Sequence, residues 1–367
     1  MSKANTASLC MAAAMCAGVG SVHAQYSVNI STEVEQIENP LLSPVNPGGV
    51  TVVRLVPTYT YEAQGDRTRS RFTAGAVIER SSNTQRLASR NYPSLGYTWG
   101  YTWPTADIEL RGNLAESATR NTELQDLGRV TVDGKERTAV LGATWNKDLT
   151  ARTRLTLGAE NNRVTYDTPL LVDYREQEVF SRFSWEATER TTYYVEPAFS
   201  RLLPAGGIPD SRLNRWLVGS RAQLAPDLSL TASLGHARAT GFMPSSATVG
   251  GVQLTHTGTR LTTEFELQRG MEPLSSTSGY VRADVLRVRL GYQLSESATI
   301  SASYRRSESI GPAGATGTVL GLTLNNELAS NWSSLLGVED RKSNYVVGGT
   351  GTGWSVRAAL IYLFPGR

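Results

Sequence analysis

Along most of this chain, hydrophobic and polar residues alternate one for one. The clearest run is the last. Trp354, Val356, Ala358, Leu360, Tyr362 and Phe364 share one parity, and Ser355, Arg357, Ala359, Ile361 and Leu363 the other. Side chains two apart in a strand lie on one face. One face here is wholly apolar with aromatics at both ends, as a strand facing lipid requires. The same pattern recurs at Leu95, Tyr97, Trp99, Tyr101 and Trp103, at Phe72, Ala74, Ala76 and Ile78, and at Leu228, Leu230, Ala232 and Leu234. A soluble sandwich also alternates, but its inner face must be large and apolar. The second face here is Ser, Thr, Gly, Glu and Arg, too polar for a dry core. The apolar face is therefore expected outside, and the polar face around water.

Turn chemistry divides these runs. Short turns are predicted at 63–67, 103–106, 147–151, 187–191, 225–228, 256–260, 294–297 and 326–331. Longer connections fall at 39–49, 81–94, 121–133, 169–173, 203–211, 242–247, 273–278, 311–317 and 347–353. Together they predict an all-β fold: one antiparallel transmembrane outer-membrane β-barrel over residues 25–367 with 18 strands, or 16 if the weak segment 130–145 or 279–292 is misread. A barrel of about 16–18 strands encloses an aqueous channel, unless a loop folds inward as a plug.

The N-terminus suits such a protein. Lys3, the apolar stretch 9–18 and Ser21-Val22-His23-Ala24 before Gln25 read as a signal peptide over 1–24, cleaved near Ala24. Both cysteines, Cys10 and Cys16, fall inside it, so the mature chain is expected to have neither disulfide nor thiolate metal site. The expected location is the outer membrane of a Gram-negative bacterium, with the bilayer and the barrel-insertion machinery as partners. Leu360, Tyr362 and Phe364 at the chain end resemble the C-terminal signal that this machinery reads. With 36 basic residues against 33 acidic ones, net charge gives no reason to expect nucleic acid. Oligomeric state is left open.

Candidate chemistry lies on the inward parity. Arg71, Arg111, Arg154, Arg182, Arg221, Arg287, Arg289 and Arg357 take it, joined by Glu79, Glu109, Glu160 and Glu264. Charge in a wet pore filters solutes by sign and size, and arginine's planar fork suits carboxylates. The alternative is that these side chains pair and stiffen the wall whatever passes. His236 and His256 take the lipid parity about 26 Å apart, at ~3.3 Å per residue along one hairpin, too far for a shared proton or metal. No nucleophile accompanies a base, so neither an enzyme nor a cofactor is expected.

Near the start, Glu38-Asn39-Pro40-Leu41-Leu42-Ser43-Pro44 precedes Arg54-Leu55-Val56-Pro57-Thr58-Tyr59. This resembles a family of outer-membrane barrels associated with exopolysaccharide gene clusters, including those of exosortase systems, with Glu38 where the family often has Asp. The resemblance covers the first two strands; Asn-Pro is also a turn former anywhere. It implies a conduit in exopolysaccharide export, with polysaccharide and periplasmic export components as partners and no catalytic residues. The modest loops favour a wide opening for such a polymer. Two other expectations stand beside it: a solute porin in which 121–133 or another loop constricts the lumen, and a non-transporting surface barrel.

Overall fold

Strand chemistry organises every segment of the computed structural model, which describes residues 23–365 apart from 131, 275–278, 312–313 and 346–348. The strands are β1 (His23–Ile37), β2 (Val50–Gln64), β3 (Thr68–Ser81), β4 (Arg90–Trp103), β5 (Ala106–Ala118), β6 (Lys135–Thr150), β7 (Thr153–Tyr166), β8 (Tyr174–Thr188) and β9 (Thr191–Pro204). They continue as β10 (Ser211–Ala225), β11 (Leu228–Gly241), β12 (Ser245–Thr257), β13 (Leu261–Leu274), β14 (Gly279–Gln293), β15 (Ala298–Ile310), β16 (Ala315–Ala329), β17 (Trp332–Tyr345) and β18 (Gly349–Pro365). Each pairs antiparallel with its neighbours in sequence, and β1 pairs with β18, Val28 opposite Phe364 and Glu35 opposite Arg357. The 18-stranded sheet is thereby closed and has no free edge.

Both weak segments of the sequence are strands, β6 and β14. The short turns and both ends of the described chain gather at one end of the barrel, and the longer connections at the other. Of the signal-peptide reading over 1–24, residues 1–22 lie outside the described residues, while His23 and Ala24 are described and open β1, opposite Gln64 and Ala63. Parts of the loops at 273–278, 311–317 and 347–353 also lie outside them.

Directly opposed residues share a face, so register traces each face around the barrel. Arg69, Gly100, Glu109, Thr144 and Gly158 form one inward row across five strands. The outward face carries Leu141, Val179, Val218 and Leu234, all exposed. At the short-turn end Trp185 stacks on Tyr193 and Trp332 tilts against Tyr362, an interfacial aromatic belt. Leu360 and Phe364 point outward in the same band. Leu234 is 67 % exposed and lies mid-strand on this face. Leu234→Arg is expected to cost about 2–4 kcal/mol if it meets the bilayer midplane, read as a lowered denaturant midpoint for folding into vesicles.

Among the described residues, apolar clusters lie at the long-loop end, where connections turn inward: Ile37, Val50 and Val52 with Leu87 in one, Leu42 with Leu124 and Val130 in another, and Leu127 with Leu274 and Val281 in a third.

Candidate functional site: a helix and a hairpin inside the lumen

The connection between β5 and β6 is the feature that changes the lumen. Sequence patterning reads 121–133 as an outer loop, and the modest loops suggest a wide opening. The structure corrects that second expectation: the segment forms a nine-residue helix, α1 (Thr119–Leu127), folded into the barrel. A short polar helix has little intrinsic stability, so its anchors decide its position.

At its C-terminal end the last carbonyls have no helical partners. Wall hydroxyls supply them. Ser307 Oγ donates to the Gln125 carbonyl (2.6 Å), Ser309 Oγ to Leu127 (2.9 Å), Ser343 Oγ to Gly128 (2.8 Å) and Tyr345 OH to Val130 (2.8 Å). The Arg305 guanidinium also donates to the Gln125 carbonyl, placing positive charge at the negative end of the helix. Gly128 ends the helix at φ 72°, a left-handed conformation that glycine adopts freely. It also abuts the wall: a Cβ on Gly128 would lie 2.3 Å from the Gly317 nitrogen. Two glycines thus let helix end and strand touch backbone to backbone.

The other end is held by charge. Arg120, 4 % exposed, donates to both Glu79 carboxylate oxygens (2.8 and 2.9 Å) and to Asp133 (3.0 Å). Glu79 also accepts from Arg54 Nε (2.8 Å), and Arg54 Nη1 reaches Glu35 (2.5 Å). Arg90 extends the network from the Asp133 carbonyl (3.0 Å) to Asp167 (2.6 Å). The helix therefore bridges β3 to β15, β16 and β17, a chord through the lumen.

The first loop braces this chord. Asn39, at φ 47°, donates through Nδ2 to the carbonyls of Ser43 and Thr352 (both 2.8 Å) and accepts from the Ser43 amide. Leu42 is 1 % exposed against Leu124 and Val130. The segment that carries the family resemblance therefore has structural work here: Asn39 folds the loop, Leu42 packs on the helix, and Arg54 belongs to the charge network.

A second intrusion comes from β13 and β14. Pairing of β12 with β13 ends at Gly250 and Arg269, while β13 stays paired with β14 to Leu274 and Gly279. The upper hairpin thus leaves the wall and leans inward. Its Tyr280, 2 % exposed, packs against Leu202, Leu213 and Val249, and its hydroxyl donates to Glu176 on β8 (2.8 Å). On the hairpin's other side Val281 and Leu274 meet Leu127 of α1. This explains the weak pattern in 279–292: at its start β14 is buried on both faces, Tyr280 against the wall and Val281 against α1, so its apolar residues do not alternate there.

Helix and hairpin leave pockets of opposite character. One, of about 270 Å³, is lined by Asp126, Glu136 and Glu272, with Arg287 as its basic member. Asp126 is exposed to the lumen, and its carboxylate lies 3.5 Å from the Arg305 guanidinium. The other, of about 510 Å³, gathers Arg287, Arg289, Arg305 and Arg341 with Glu264, Glu266 and Glu339. Among the described residues, Nε and Nη2 of Arg341 are buried without a hydrogen-bond partner. An acidic and an arginine-rich recess on the two sides of one helix set a field across the opening.

The arginines and glutamates singled out from sequence all have the inward register, and most are paired. Arg71 meets Glu62 (3.2 Å), Glu109 meets Arg69 (2.5 Å), Arg111 meets Glu160, Arg154 meets Asp107, and Arg182 Nε donates to Glu196 (2.7 Å). Arg287 meets Glu266 (2.8 Å) and Arg289 meets Glu264 (3.4 Å). Among the described residues, Arg221 and Arg357 have no carboxylate within 4.0 Å. His236 and His256 face outward, and His256 Nε2 lies 3.0 Å from Asp227 on the adjoining turn. Sequence reasoning missed Arg120, Asp126, Arg305 and Arg341. Only the Leu127-Gly128 helix stop hinted at α1, and nothing local places it inside. Replacing Arg287 and Arg289 together with Gln frees Glu264 and Glu266, so reversal potentials in a salt gradient are expected to shift toward cation selectivity. Unchanged potentials would mean that this pocket does not border the ion path.

No family model matches this chain, and no curated protein does. Solved structures do. OccAB4 of Acinetobacter baumannii superposes with a TM-score of 0.53 at 10 % identity, covering 94 % of this chain and 98 % of that one. OccK7 (OpdD) of Pseudomonas aeruginosa gives 0.55 at 12 % identity, covering 94 % and 99 %. A BenF-like porin from Pseudomonas fluorescens Pf-5 gives 0.54 at 10 % identity, covering 93 % and 98 %. What they share with this chain is the overall barrel fold.

Proposed function

We propose that this protein is a diffusion channel of the outer membrane that admits small hydrophilic solutes and selects among them at the α1 constriction. The observation that carries this reading is the helix tied at both ends inside a barrel with a polar inner wall: Arg120 to Glu79 at one end, and Ser307, Ser309 and Ser343 on the final carbonyls at the other. A wall of paired Arg and Glu keeps the lumen polar with little net charge, and the unlike pockets beside α1 sort solutes by charge placement. The fold shared with outer-membrane porins supports the same reading.

Reconstitution in planar bilayers tests it. Discrete, stable current steps are expected, together with liposome swelling that falls steeply as sugar size increases. Absence of both would overturn the channel reading and leave the non-transporting surface barrel. The exopolysaccharide conduit implied by the resemblance requires a polymer to thread past helix and hairpin, so the constriction favours the solute reading. Normal surface polymer in a strain lacking the protein would remove the conduit altogether.

A further inference from the structure

Above the apolar belt, the outward face at the long-loop end carries a concentration of arginine on one side of the barrel. Arg163, Arg175, Arg201, Arg212 and Arg238 lie on β7 to β11, all exposed and all of outward register. Arg163 is directly opposite Arg175, and Arg201 directly opposite Arg212. Residues so opposed have Cβ atoms about 4.5–5.5 Å apart, and like charges there repel.

Elsewhere on this rim Arg137 pairs with Glu116 (2.6 Å), Arg269 with Asp284 (2.8 Å) and Arg306 with Glu308 (3.0 Å), while Arg80 donates to the Glu79 carbonyl and Asn91, and Lys342 makes no ion pair among the described residues. In the patch only Arg201 has one, Asp210 at 2.5 Å. Arg163, Arg175, Arg212 and Arg238 make no ion pair among the described residues, and Arg175 Nε donates to Asn161.

The height of the patch identifies what could relieve the repulsion. Phe199 lies two residues from Arg201, and Val179, Trp216 and Leu234 lie four residues from Arg175, Arg212 and Arg238, all on the lipid face. With ~3.3 Å per residue along strands tilted by ~35–45°, the guanidinium-bearing positions stand roughly 5–11 Å above hydrocarbon-facing side chains, the depth of lipid headgroups. The long-loop end of such barrels faces outward from the cell, so the neighbouring leaflet is the outer one.

We propose that this patch is a binding site for the phosphorylated lipid of the outer leaflet, with phosphate groups bridging the two opposed arginine pairs. Arginine offers a bidentate fork to phosphate, and an anion between two guanidiniums converts a repulsive pair into two attractive contacts. Arg238 adds a further contact to a headgroup spread over adjacent strands. The site lies on the barrel's outside and is independent of whether the lumen conducts.

The test is native mass spectrometry of the detergent-solubilised barrel with diphosphoryl lipid A and with its dephosphorylated form. The diphosphoryl lipid is expected to bind at least about tenfold more tightly, as loss of charge-assisted contacts implies. The combined variant Arg163→Gln, Arg175→Gln, Arg201→Gln and Arg212→Gln is expected to abolish that preference while keeping heat-modifiable gel migration. Equal binding of both lipids to the wild-type barrel would overturn the site, and this comparison needs no variant. Competition by inorganic phosphate at concentrations matching the lipid's would show a free-anion site instead and overturn the lipid assignment.

Discussion

Replacing residues 119–130 by a short Gly-Ser linker is expected to raise single-channel conductance several-fold. Apart from the Thr119 amide, which donates to the Gly134 carbonyl at the ladder's end, the segment forms no part of the hydrogen-bonded wall, so the barrel closes without it: β5 and β6 remain paired from Ala106–Lys147 to Ala118–Lys135. What is lost is a helix that crosses a lumen of 18 strands, and ionic current through a wet pore follows its narrowest section. Current steps and liposome swelling by larger sugars should rise together, with selectivity falling. A variant that inserts normally and conducts as the wild type would show that the helix does not limit flow, and would sink the constriction on which the proposed function rests.

The second large effect is expected at the buried charge network. Arg120→Leu removes the cation facing Glu79 and Asp133, leaving a carboxylate that is 1 % exposed with Arg54 as its remaining partner. Breaking a buried pair from one side costs about 3–5 kcal/mol, and the retained Arg54 and Arg90 contacts place this case near the low end. That cost falls on the docked helix and not on the strands, whose ladders are untouched. The expected result is therefore a barrel of nearly normal thermal stability with noisy, enlarged conductance and a new protease-sensitive site near 119–130. Adding Glu79→Gln should restore part of the quiet behaviour, because an amide without a counterion is less costly than a carboxylate. Equal noise in the single and double variants would mean that charge at Glu79 does not hold the helix.

The wall was legible in the sequence because it is built from a local rule. Alternation at period two puts Leu234 toward lipid and Gly235 toward the lumen whatever lies elsewhere, and short turns at fixed spacing count the strands. It weakened where a strand meets protein on both faces: β14 near Tyr280 and Val281 packs on the barrel wall and on α1 at once. The inward side of Arg287 and Arg289 could be read in the same way. Their pairing with Glu266 and Glu264 depends on cross-strand register, which turns and bulges set. The Asn-Pro segment showed only a turn; that Leu42 would press on a helix from another loop is a contact between chain segments some eighty residues apart.

By itself, then, the sequence determined a closed antiparallel wall, its greasy exterior, its polar interior and the connections at either end, since each follows from neighbours in the chain. Only the tertiary structure decided what occupies the interior. Arg120 finds Glu79, and the Gly128 backbone finds Gly317, across distances that no local pattern encodes. Whether the lumen is open or narrowed is a property of those meetings: a short polar helix is stable only where the surrounding wall supplies its missing partners.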